Sequence, residues 1–148
     1  MEIKVRDAVP GDIQDILDIE ASSFEFPWSE RMFMNQLQLR SIAAVLVAHS
    51  GNAVTGYSVV WFEGEDSHIL NIAVSSEYRR RGVAGKLVDE IIRRSREREC
   101  VRLYLEVRAS NLKARDFYVG KGFRIRGIIE GYYQENGEDA LLLELSLI

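Results

Sequence analysis

A strand-like run from His68 to Val74 leads into Arg79-Arg80-Arg81-Gly82-Val83-Ala84-Gly85, and this segment opens a long amphipathic helix. Leu87, Val88, Ile91, Ile92 and Ser95 recur at i, i+1, i+4, i+5 and i+8, which places one apolar stripe opposite a charged face. A strand, a loop and a one-sided helix in that order require a sheet with the helix packed on its face. The loop itself carries chemistry. Small residues at 82, 84 and 85 leave backbone N–H groups uncovered where the helix begins. A helix start has unpaired donors and a partial positive charge, which together suit a phosphate-bearing ligand.

The rest of the chain supplies the other strands and helices. Ile3 to Asp7 alternates as a short strand, Pro10-Gly11-Asp12 breaks it, and Asp12 is placed to cap a helix carrying Ile13, Ile16, Leu17 and Ala21. Ser29 is placed to cap a second helix, in which Phe33 and Leu37 share a face. Ala43 to His49 and Val54 to Phe62 flank Ser50-Gly51-Asn52 and read as a hairpin, and Gly64-Glu65-Asp66 turns the chain into His68 to Val74. After the long helix, Arg102 to Val107 alternates as a strand. Asn111 opens a short helix containing Ala114, Phe117 and Tyr118, with Gly122 as its stop. Arg124 to Tyr132 and Asp139 to Leu147 are joined around Asn136-Gly137, a hairpin signal. The predicted order is β-α-α-β-β-β-α-β-α-β-β. It specifies an α/β domain of three layers, a mixed central sheet with helices on both faces, spanning 1–148 as a single unit.

Composition narrows the function. A formal net charge of −4 does not suit a nucleic-acid coat, although Arg79 to Arg108 is locally basic. The single cysteine, Cys100, excludes an intrachain disulfide and reads as a small buried hydrophobe. No apolar run is long enough to span a bilayer and no leader-like segment opens the chain, so a cytoplasmic location without membrane association is expected. His49 and His68 lack carboxylate or cysteine neighbours at ligand spacing, so no metal is expected; His68 reads as a structural or substrate-edge residue.

Two phosphate-binding motifs fail at the loop. A P-loop needs glycine where Arg80 stands and Ser or Thr where Leu87 stands. The dinucleotide fingerprint fails on glycine spacing. What remains is Arg/Gln-x-x-Gly-x-Gly/Ala, matched by Arg79, Gly82 and Ala84. This resembles the pyrophosphate loop of the GNAT acetyltransferase superfamily. Further residues sharpen the likeness: Leu105-Glu106-Val107-Arg108-Ala109-Ser110-Asn111, Ala114, Phe117-Tyr118, Gly122-Phe123, Tyr132-Tyr133, Glu138-Asp139-Ala140 and Phe26-Pro27-Trp28-Ser29. Together they are similar to the ribosomal-protein-alanine N-acetyltransferases, the RimI-type branch, over almost the entire chain. The segment from 40 to 65 is the least specific, and Arg79 stands where that branch often has glutamine.

The resemblance implies the GNAT fold, with strands four and five splayed around the cofactor, and transfer of acetyl from acetyl-CoA to a protein's N-terminal amine. The implied substrate is the N-terminal alanine of a small-subunit ribosomal protein, met in a ternary complex. An α-amine has a pKa of about 7.7–8.0, so near neutrality most of it is protonated and cannot attack. The reaction needs a base, a polarised thioester carbonyl and an acid for the leaving thiolate. By the resemblance Glu106 is the base, acting directly or through water; by its sequence alone it is equally a strand carboxylate facing solvent or pairing with Arg108. Tyr118 is the implied acid, and otherwise a packing aromatic beside Phe117. Arg79, Arg80, Arg81, Gly82, Val83, Ala84 and Gly85 hold the pyrophosphate, Ile72, Ala73 and Val74 lend backbone groups to the pantetheine arm, and Asn111 contacts the cofactor or serves only as a cap. Tyr132 and Tyr133 line the substrate channel or pack on the sheet, with Trp28 and Phe26 as its other wall. Three other functions fit the same likeness: a broader archaeal-type N-terminal acetyltransferase, an enzyme for lysine or a small amine, and a non-catalytic CoA-binding module.

Overall fold

The computed structural model describes residues 2–148. Its elements follow the expected order: β1 (Lys4–Asp7), α1 (Ile13–Ser23), α2 (Glu30–Gln38), β2 (Ala43–Ser50), β3 (Ala53–Glu63), β4 (Asp66–Val74), α3 (Val83–Glu97), β5 (Arg102–Arg108), α4 (Leu112–Gly120), β6 (Arg124–Tyr133) and β7 (Glu138–Ser146). The strands form one seven-stranded sheet in the order β1-β2-β3-β4-β5-β7-β6. Every neighbouring pair is antiparallel except β4–β5. Parallel neighbours need a crossover, and α3 supplies it.

Strand alternation divides the core in two. Leu46, Val60, Phe62, Leu103, Leu105 and Val107 face α3 and α4, where they meet Val83, Leu87, Val88, Ile91 and Tyr118. Val45, Val47, Tyr57 and Val59 face α1 and α2, where they meet Ile13, Ile16, Ile19 and Phe33. The predicted stripe of α3 is the buried one: Leu87, Val88, Ile91 and Ser95 are inaccessible to solvent. Each fully buried Leu or Ile contributes roughly 1.5–3 kcal/mol of transfer free energy.

The caps agree with the sequence at two helices and not at the third. Ser29 accepts from the Met32 N–H at 3.2 Å, and Asn111 accepts from the Ala114 N–H at 3.2 Å. Asp12 makes no side-chain cap to α1. Its carboxylate instead accepts two bonds from the Arg6 guanidinium, at 2.8 and 3.0 Å, and one from the Val9 N–H at 2.8 Å. A bidentate charged partner outcompetes a helix amide. Gly122 lies just past α4 with φ +102°, the left-handed stop that its position predicts.

The sheet is interrupted where β4 meets β5. Val59 of β3 pairs with Asn71 and Val60 with Ile69, so Leu70 is an extra residue in β4. The β4–β5 ladder runs only from Asp66↔Arg102 to Ile69↔Leu105. Beyond the bulge, β4 stays paired to β3 through Val74 while β5 stays paired to β7 through Arg108. A bulge bends its strand and ends pairing locally, and a seam opens between the two strands.

Candidate active site

Alternation along β5 gives the open seam two chemically different sides. Leu103, Leu105 and Val107 point into the cluster that holds Tyr118, so Tyr104, Glu106 and Arg108 point to the opposite face. Glu106 and Tyr118 therefore belong to opposite faces of the sheet. A group lying in the seam is the one thing that both can reach.

Glu106 is nearly buried and accepts a bond from a histidine or shares a proton with it: its Oε1 lies 2.7 Å from His68 Nε2. The Tyr132 hydroxyl donates to the same oxygen at 3.3 Å. His68 is stacked on Tyr104, with ring centroids 4.2 Å apart. Three residues, from β4, β5 and β6, thus gather around one carboxylate. Sequence spacing did not reveal the partnership of His68 and Glu106, because the two are 38 residues apart and only the parallel register aligns their strands. Arg108, the sequence-level alternative partner of Glu106, is engaged elsewhere.

Tyr118 is 3% exposed, and its ring packs edge-on against Phe117 and Phe123. The ring is the packing aromatic that the sequence also allows, and the hydroxyl makes no hydrogen bond among the described residues. Burial alone raises the phenol above its ordinary range.

The start of α3 has the geometry expected of an anion cradle. Gly82 is its N-cap residue, with φ +79° and no side chain to close the first turn. Arg80 is also left-handed, with φ +64°. Left-handed residues alternating with ordinary ones turn successive N–H groups to one side. Arg79, Arg80, Arg81 and Gly82 are exposed, whereas Val83 is buried and anchors the turn. The anchoring is close: a Cβ on Gly56 of β3 would lie 2.9 Å from the Ala73 carbonyl oxygen and 3.0 Å from Val83 Cγ1. Glycine at 56 lets the helix start sit directly on β3, beside Ala73 of β4. Ala73 is buried there, and Ile72 and Val74 are half-buried beside it.

Two of the residues expected to wall the substrate, Phe26 and Tyr133, face Arg108. Its guanidinium lies 3.9 Å from the Tyr133 ring centroid and 5.7 Å from that of Phe26. It also donates to Glu138 at 3.2 Å and Asn136 at 3.1 Å in the β6–β7 hairpin. Tyr132 and Tyr133 contact each other edge-on, and burial together with nearby charge pushes both phenols up to about 12. Trp28 is placed differently from Phe26. Its ring packs on Phe33, 5.2 Å between centroids, at the edge of the α1–α2 core. Asn111, held as the α4 cap, sits at the far end of β5. Among the described residues no group of three or more His, Cys, Asp or Glu side chains is placed to hold a metal ion, and no helix is long and apolar enough to cross a membrane.

Comparison with known proteins agrees with this arrangement. The model of the acetyltransferase (GNAT) family matches residues 13–123. A Bacillus subtilis (strain 168) protein, provisionally named ribosomal protein bS18-alanine N-acetyltransferase, is 36% identical over 143 residues, covering 97% of this chain and 95% of its own. The crystal structure of the ribosomal-protein-S18-alanine N-acetyltransferase from Escherichia coli superposes with a TM-score of 0.88 at 26% identity, over 99% of this chain and 94% of that one. A chain of the NatC complex bound to Gag peptide and CoA superposes with a TM-score of 0.84 at 26% identity, over the full length of both.

Proposed function

This chain belongs to the acetyltransferase (GNAT) family, as an N-acetyltransferase of the ribosomal-protein-alanine type, and from that premise we propose that it acetylates the N-terminal alanine of a small-subunit ribosomal protein with acetyl-CoA. The observation that carries the reading is the open seam, with a carboxylate on one face and a phenol on the other.

Enzymes of this family use acetyl-CoA, and the residues present fit it. The uncapped start of α3, with left-handed Arg80 and Gly82, suits a pyrophosphate. The unpaired edge of β4 from Leu70 to Val74 suits an extended arm bound like an added strand. When bound, acetyl-CoA supplies the acetyl group as an activated thioester. A backbone N–H at Ala73 or Val74 would be the donor to its acyl oxygen. Glu106 takes the proton released by the substrate ammonium, directly or through water, and His68 fixes the orientation of the carboxylate. Tyr118 is a phenol, protonated at neutral pH even at its ordinary pKa of about 10 and pushed further up by burial, and its hydroxyl is not committed to a protein acceptor. With acetyl-CoA bound, that proton would go to the departing sulfur as the C–S bond breaks and the N–C bond forms, and the second proton shed by the nitrogen would restore the phenol through solvent. Phe26, Tyr132 and Tyr133 line the peptide entrance around Arg108, and Trp28 buttresses the same loop from beneath.

The reading is tested with peptides bearing N-terminal Ala, Ser or Met, and peptides whose one free amine is an internal lysine, each offered with acetyl-CoA. Acetyl on the α-amine of the Ala peptide is expected. Acetyl confined to lysine Nζ, or no transfer to any peptide, overturns the proposal. Tyr118→Phe should lower kcat by about 10²-fold and leave the Kd of acetyl-CoA within about threefold. An unchanged kcat removes Tyr118 from the acid role.

A further inference from the structure

Glu20, in the last turns of α1, is 1% exposed, yet none of the ion pairs described involves it. Three donors from three segments converge on its carboxylate. Oε2 accepts the Trp28 backbone N–H at 2.8 Å. Oε1 accepts Asn71 Nδ2 at 2.8 Å and the Tyr57 hydroxyl. Burying a carboxylate without a cation is costly, and charge-assisted bonds such as these are what offset it.

The segments so joined are informative. Trp28 lies on the loop that carries Phe26, the aromatic that faces Arg108 at the peptide entrance. Asn71 directly follows Leu70, the extra residue from which β4 parts from β5. The Asn71 backbone is held from the other side, where the Ser58 hydroxyl donates to its carbonyl at 2.8 Å. Tyr57 ties the carboxylate to β3, which pairs with β4 on the edge away from the seam, and its hydroxyl bonds neither Asn71 nor the 24–28 loop. A small movement of β4 at the bulge must stretch the Asn71 bond or shift the carboxylate. A shifted carboxylate draws the Trp28 N–H, and the loop, with it. Close packing around Phe33, Tyr57 and Trp28 transmits such a shift instead of absorbing it.

We propose that Glu20 is a positioning residue that couples the acyl-donor slot at the β4 bulge to the peptide wall of residues 24–28. Filling the slot then strengthens peptide binding, and the reverse holds by linkage. The inference rests on the assignment of seam and loop made under Proposed function.

Isothermal titration of CoA and of an N-terminal Ala peptide, each alone and each with the other saturating, measures the coupling. In the parent protein each ligand should tighten the other by about fivefold or more. Asn71→Ala should bind both ligands with a coupling factor near one. Glu20→Gln should behave alike, with its fold checked by circular dichroism. Tyr57→Phe should melt earlier but retain the coupling, because it frees neither wall. Coupling absent from the parent, retained in Asn71→Ala, or lost equally in Tyr57→Phe overturns the inference while leaving the acetyl-transfer reading intact. A parent protein that takes up no CoA overturns that reading and this one with it.

Discussion

The two edges of β5 have opposite fates. Toward β7 the ladder is complete, with seven register pairs from Arg102↔Ser146 to Arg108↔Ala140. Toward β4 it stops after four, at Ile69↔Leu105. The strand is the same on both sides, so its own sequence does not make the difference. The partner does, through Leu70, which pushes β4 out of register. The comparison teaches that this site is an omission in the sheet. Unpaired backbone groups are costly when buried, and under the proposed function the bound acyl donor satisfies them. Glu106, Tyr118 and the α3 start then gather around the opening.

Deleting Leu70 attacks the comparison most directly. Without the extra residue, Val60↔Ile69 and Val59↔Asn71 become successive pairs, so the later β4 side chains keep their faces while the strand straightens and the ladder can continue toward Glu106. Turnover should fall by roughly 10²–10³-fold, the scale set by misplacing reacting groups, while hydrogen exchange shows β5–β7 amides still protected. Turnover within tenfold of the parent would dissociate the open seam from catalysis. On the closed edge, Leu143 is fully buried opposite Leu105, and Leu143→Ala should cost about 2–5 kcal/mol of stability. Its kcat per folded molecule should hold near the parent value. A kcat that collapses along with stability would mean the closed edge also positions the chemistry.

The smallest effect is expected far from both edges. The Arg6 guanidinium holds the Asp12 carboxyl below the ordinary carboxylate range. A lowered folded-state pKa contributes stability above the unfolded value, about 3.9, and that contribution disappears as pH falls toward the folded one. Asp12→Asn should therefore cost about 1 kcal/mol at pH 7, since Arg6 is partly exposed. The difference in melting should shrink below about pH 4, and kcat should not change. A melting difference that persists unchanged at pH 3 would mean the carboxylate charge is not the cause.

Much of this was legible in the chain itself. Period-two and helical spacing located the strands and helices, and the caps at Ser29 and Asn111 followed from residue type. Asp12 misled because a helix-capping residue type says nothing of a guanidinium arriving from β1. The family resemblance, rather than residue type, pointed to Glu106 and Tyr118. Neither signal indicated His68 as the neighbour of Glu106, Arg108 as the residue that Phe26 and Tyr133 face, or Glu20 as a buried side chain held by three donors, because each of those partnerships spans separate strands or loops.

Local physics, which depends on nearest neighbours along the chain, determined the helices, the strands and the uncapped glycine turn at the start of α3. Register between distant strands decided the rest. The bulge at Leu70 has no signature of its own, since Leu70 is an ordinary strand residue, and it exists only as a mismatch between β3 and β4. From that mismatch come the open seam and the two opposed faces of β5. A one-dimensional pattern cannot encode a gap between two strands, because a gap is a property of their pairing.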